Sequence, residues 1–207
     1  MSTPIDLEGI DITRNECFVT RVYDIQLATG AALDALNASL LAAVNELRAR
    51  GERGLDYDGA GWQTPHDLHT RPEFAVLFEA ITAVLVELSG AEDVPPSRRP
   101  VIESAWSNVE GKGDFVRVHL HPWSAWSGVY YAQVDDRTGD IFFEDPRPAQ
   151  KALAWPHARG ENRGLVQFRP RPGMLVVFPS WLEHYTDPSR SERERVCVAF
   201  NASLGGR

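Results

Sequence analysis

The sequence predicts a mainly β fold, a sandwich or small barrel, flanked by two bracing helices in its first half. Three observations carry this. Seven short alternating runs follow Val101, separated by breaks rich in Gly, Pro and Asp. Two earlier stretches repeat apolar residues at helical spacing. The 207 residues are 43% hydrophobic, which suffices for one sizeable core. The whole of 1–207 therefore reads as a single domain, with 1–100 a mostly helical bracing part and 101–207 the strand-built core.

Taken in order, CFVTRVYDIQL within Ile10 to Leu27 alternates as one or two strands. Ala31 to Arg50 carries Leu33, Leu36, Leu40, Leu41, Val44 and Leu47 on one helical stripe, and Gly51 is a natural stop. The polar, glycine-rich stretch Gly51 to Arg71 reads as a loop and a candidate lid. A second helix spans Pro72 to Leu88, with Phe74, Leu77, Phe78, Ile81, Val84 and Leu85 as its stripe and Pro72 in its first turn. The seven strands are VIESAWSNV, FVRVHLH, SGVYYAQV, DIFFED, GLVQFRP, GMLVVFPS and RVCVAFNA.

Composition excludes several classes. A net charge of −8 argues against a nucleic-acid partner, which demands clustered Lys and Arg. The start is polar and acidic, unlike a signal peptide, and the apolar stretches read as too short for a bilayer, so no membrane partner is expected. Cys17 and Cys197 allow at most one disulfide, and a reducing, cytoplasmic setting is expected.

The chemistry centres on VRVHLHPWSAWSGVYY, Val116 to Tyr131. In an extended strand, residues i and i+2 share a face, so His119 and His121 can reach toward one point. GMLVVFPSWLEH then delivers His184 after another strand. Three imidazoles form a facial metal triad suited to iron, zinc, copper or nickel, with positions left open. His66, His69 and His157 have no such spacing and read as surface histidines. Arg195 opens the last strand and shares a face with Cys197, Ala199 and Asn201, where a guanidinium can receive a carboxylate. Tyr130, Tyr131, Ser127 and Asn108 could hydrogen-bond a co-substrate. Asp145, beside Glu144, is a reserve metal ligand. Trp62, Trp123, Trp126 and Trp181 could line a substrate mouth.

The series NVEGKGDFVRVHLHPWSAWSGVYY, GDIFFEDPR, PGMLVVFPSWLEHYTDPS and ERVCVAFN resembles the small bacterial and phage type of 2-oxoglutarate/Fe(II)-dependent oxygenase, over roughly Trp62 to Asn201. The resemblance implies a double-stranded β-helix of jelly-roll or cupin-like form. It also implies Fe(II) and 2-oxoglutarate as cofactors, O2 as co-reactant, and hydroxylation coupled to decarboxylation of 2-oxoglutarate to succinate. His119 and His184 would be iron ligands, and Arg195 would meet the far carboxylate of 2-oxoglutarate. Most such oxygenases place a carboxylate where this chain has His121. The alternatives are a three-His cupin-type dioxygenase or isomerase without 2-oxoglutarate, and a non-catalytic jelly roll that binds metal or ligand. The substrate would be a small molecule or a peptide, and a homodimer through sheet edges is one open arrangement.

Overall fold

The computed structural model describes residues 13, 15–54, 61–149 and 164–205. His157 and part of the 51–71 loop lie outside them. The element order is β1 (Tyr23–Gln26), α1 (Gly30–Ala49), β2 (Trp62–Gln63), α2 (Ala75–Ala91), β3 (Arg99–Glu110), β4 (Trp126–Gln133), β5 (Ile141–Glu144), β6 (Leu165–Phe168), β7 (Met174–Pro179), β8 (His184–Thr186) and β9 (Arg195–Gly205). Two 3₁₀ turns, Leu68–Thr70 and Pro72–Phe74, lead into α2.

The strands form two antiparallel sheets, one ordered β1-β7-β4-β9-β3-β2 and the other β6-β5-β8. Strand alternation divides the core into two layers. On one face of the large sheet, Tyr130, Leu175, Val177, Val198, Phe200 and Ala105 pack against the stripes of α1 and α2. On the other, Val129, Tyr131, Val176, Phe178 and Cys197 meet Ile141 and Phe143 of the small sheet. β4 and β7 serve both layers, which is why they read as nearly continuous apolar runs.

α1 ends as its sequence dictates. Gly51 takes φ +72°, its N–H reaches Arg48 O at 3.0 Å, and Glu52 N–H reaches Leu47 O at 3.0 Å. The segment Pro72–Ala91 is, against the expectation from sequence, long and apolar enough to cross a membrane by length and composition. Its Phe74, Leu77, Ile81 and Leu85 are instead almost fully buried in the layer beneath the large sheet.

One further expectation is corrected. FVRVHLH is not a ladder strand: among its residues only His119 forms a bridge, an isolated one to His184. The segment runs along the edge of β8 with Val118 and Leu120 facing solvent, so its alternation marks an edge rather than a core strand. Beyond it, Pro122 lacks a donor and Trp123 takes φ +75°, which turns the chain away from the sheet. β2 and β8 are two and three residues long, too short to leave a periodic signal. Cys17 and Cys197 are free thiols, one exposed and one buried, so no disulfide joins them.

Candidate metal centre and anion pocket

His119 and His184 face each other across the isolated bridge, each N–H donating to the other's carbonyl at 3.0 Å. His121 is held two residues on, its N–H bonded to Ser180 O at 2.8 Å. The candidate ligand nitrogens of the three rings lie within 4.8 Å of one another, and among the described residues no carboxylate joins the group. Asp145, the reserve ligand, is elsewhere. Its carboxylate accepts the Arg147 N–H at 2.9 Å and pairs with the guanidinium at 2.7 Å, the work of a strand-ending turn.

The rings are held as neutral imidazoles. His119 Nδ1 sits 2.8 Å from Arg117 O and His184 Nδ1 sits 2.9 Å from Leu182 O. A carbonyl can only accept, so each Nδ1 carries the proton and each Nε2 keeps its lone pair. Burial, followed by repulsion from His119, pulls His184 down to about 3 and His121 down to about 4. Burial lowers His119 as well. Phe143 and Phe178 pack beside the His184 ring.

These histidines line a cavity of about 400 Å³ between the two sheets. Asn108, Tyr131 and Arg195 line it too, as do Cys197, Ala199 and Asn201, the face expected from strand alternation. Arg195 is 3% exposed, and its guanidinium carbon lies 5.6 Å from the centre of the Tyr131 ring. Tyr131 Oη and Arg195 Nε are both buried without a hydrogen-bond partner. Buried polar atoms are nearly always satisfied, so an orphaned phenol beside a buried guanidinium on one cavity fits an anionic ligand that accepts from both. Burial disfavours the charge on Arg195, yet the facing carboxylate of Glu110 leaves its pKa above the ordinary value. Burial likewise pushes the Tyr131 phenol up, so it remains a neutral donor.

Other sequence candidates fall outside the cavity. Ser127 shares the Tyr131 face of β4 but does not line the cavity; it braces the sheet, its Oγ 2.8 Å from both Ser180 Oγ and Asn201 Oδ1. Tyr130 faces the helices and donates to Asn37 Oδ1 at 2.7 Å. Trp126 is a core plug against Tyr23, and Trp62 packs at the edge of the same layer. Trp123 and Trp181 are exposed and do not line the cavity. The structure supplies others instead. Trp106 lines the cavity beside His121, and His66 stacks on it at 4.5 Å between ring centres. His66 is tied to Gln63, which donates to Asn108 Oδ1 at 2.9 Å. His66 is exposed, as a surface histidine is, yet it also borders the cavity against Trp106 of β3, a contact that its own loop does not signal. Glu110, beside Arg195, also went unnoticed.

Residues 104–201 match the family model described as "Putative 2OG-Fe(II) oxygenase". A search of curated proteins finds no match. Solved structures resemble the chain at low identity. A prolyl-4-hydroxylase from Pseudomonas putida is 16% identical, with a TM-score of 0.62 over 90% of this chain and 94% of that one. The α-ketoglutarate-dependent epimerase SnoN of nogalamycin biosynthesis is 14% identical, with a TM-score of 0.66 over 89% and 78%. HygX from Streptomyces hygroscopicus, with nickel, 2-oxoglutarate and hygromycin B bound, is 15% identical, with a TM-score of 0.59 over 89% and 83%. These likenesses establish the fold as a double-stranded β-helix. Over residues 104–201 the chain is similar to the 2OG-Fe(II) oxygenases.

Proposed function

We propose that the chain is a mononuclear non-haem Fe(II), 2-oxoglutarate-dependent dioxygenase whose metal is held by His119, His121 and His184. The observation that carries this reading is the convergence of three imidazoles on the same cavity that Arg195 lines. The fold it shares with HygX, which holds nickel and 2-oxoglutarate, supports it. When bound, metal and co-substrate supply oxygen activation, with 2-oxoglutarate converted to succinate and a C–H bond hydroxylated.

The chain's own part is positioning. The carbonyls of Arg117 and Leu182 fix the ring orientations of His119 and His184. Arg195 and Tyr131 bind the far carboxylate of 2-oxoglutarate, with Asn108 at the side of the same cavity. Phe143 and Phe178 shield the His184 side from water. His66, Gln63 and Trp106 form the rim where a small molecule or peptide meets the metal. The free thiols of Cys17 and Cys197 support a reducing, cytoplasmic setting.

The test is anaerobic reconstitution with Fe(II), then addition of 2-oxoglutarate while the visible charge-transfer band of the chelate is recorded. A band in the native protein that His121→Ala lacks is the expected result. Iron binding with no band at saturating 2-oxoglutarate refutes the assignment.

A further inference from the structure

β3 ends at Glu110, directly opposite Arg195 in the ladder with β9. The two side chains are 2% and 3% exposed, and Glu110 Oε2 lies 3.3 Å from Arg195 Nε. They make no hydrogen bond to each other: both atoms are without a hydrogen-bond partner. Glu110 does not itself line the cavity, so it acts on the cavity through Arg195. Gly61 closes the site from the other side. A Cβ there would fall 2.5 Å from Val109 O and 3.3 Å from Glu110 Cγ, so the backbone is packed directly on the carboxylate's stem.

Resting, the pair sets the Glu110 carboxyl against one buried guanidinium. Admitting a second carboxylate to Arg195 places two carboxyl groups on that one cation in largely buried surroundings. Two carboxylates sharing one cation in such surroundings do not both stay ionised. Among the described residues, Arg195 and Cys197 face Glu110 from β9, Tyr131 from β4, and Asp114 from the turn after β3. Tyr131 and Cys197 are pushed up by burial and are already protonated. Asp114 accepts the Gly111 N–H at 2.8 Å. Burial raises the Glu110 carboxyl despite the pull of Arg195, with Asp114 adding to the rise.

We propose that Glu110 is a positioning residue that gates the Arg195 anion site, and that binding a carboxylate co-substrate there is accompanied by uptake of one proton at Glu110. This rests on the assignment of Arg195 to the co-substrate carboxylate made above. With Glu110 ionised, its carboxylate competes for the guanidinium; with Glu110 protonated, the full charge of Arg195 is available. Affinity is therefore highest at low pH. It falls by about tenfold per pH unit once pH rises through the carboxyl's pKa in the free protein, and levels off above its value in the complex.

The test is calorimetric titration of 2-oxoglutarate into the full chain loaded with Ni(II), across pH 6.5 to 8.5, in two buffers of different ionisation heat. The expected result is proton uptake by the native protein with affinity falling as pH rises. Glu110→Gln should bind at least as tightly as native protein, with the pH slope and the uptake removed. A variant that keeps the native slope, or binds more than about tenfold more weakly, overturns the proposal, because Glu110 then only props Arg195 in place. Should the variant not fold, the native proton count decides, and zero at every pH overturns it. Ni(II) binding with no 2-oxoglutarate binding in either protein at any pH removes the underlying site assignment, a distinct failure.

Discussion

Replacing Tyr131 by Phe separates two roles of one hydroxyl. Tyr131 is fully buried, its Oη is unpartnered, and its ring lies under the Arg195 guanidinium. Phe keeps the ring and its contact with the cation, so only the hydroxyl is removed. In the unliganded protein an unsatisfied buried hydroxyl costs about 1–3 kcal/mol, and removing it should be neutral or stabilising by up to that amount. For a chain of this length that raises Tm by up to about 2–12 °C, at 2–4 °C per kcal/mol. With co-substrate bound, the same hydroxyl donates to a carboxylate, a charge-assisted bond worth about 1.5–3 kcal/mol. Its loss should weaken 2-oxoglutarate binding by about 10- to 150-fold. Differential scanning fluorimetry without ligand and anaerobic titration with Fe(II) present measure the two sides. A variant that is less stable and binds 2-oxoglutarate within twofold of native would refute the reasoning, since Oη would then be a structural donor.

Other expectations follow from the same geometry. His184→Ala should weaken Ni(II) binding by more than about 100-fold, beyond the 10–100-fold typical of residues that only orient a ligand, as read by competition titration. Asp145→Ala should leave metal affinity unchanged and cost no more than about 1 kcal/mol, because its carboxylate serves the Arg147 turn; a lost metal site would restore it as a ligand. Gly128→Ala should destabilise by about 1–3 kcal/mol in chemical denaturation, since its Cβ would lie 2.5 Å from the Phe200 ring and 2.8 Å from Val176 O.

Much of the scaffold is legible because its signals are local. The stripes of α1 and α2 and the alternation of β4, β7 and β9 each lie within one short window of sequence. Arg195, Cys197, Ala199 and Asn201 share the cavity for the same reason: β9 is regular there, and period two holds. Parity from His121 also carries across the Pro122–Ala125 turn: Tyr131, an even count on, lines the cavity, and Ser127 shares its face of β4 but spends its hydroxyl on Ser180 and Asn201. Register between distant strands leaves no mark at all. Nothing in NVEGKG announces that Glu110 faces Arg195, because that pairing is set by eleven matched positions of β3 and β9. His66 is hidden likewise, since its neighbours Trp106 and Asn108 belong to another strand.

The reciprocal bond pair between His119 and His184 has a consequence for how the centre assembles. A ring of two backbone hydrogen bonds fixes the separation of these two residues before any ion arrives, so gathering them costs no further chain entropy. His121 hangs from Ser180 by a single bond at the start of an exposed turn. At the proposed metal site, His119 and His184 would thus be set in place by the backbone, and His121 would be the ligand whose position the Pro122 turn leaves least constrained.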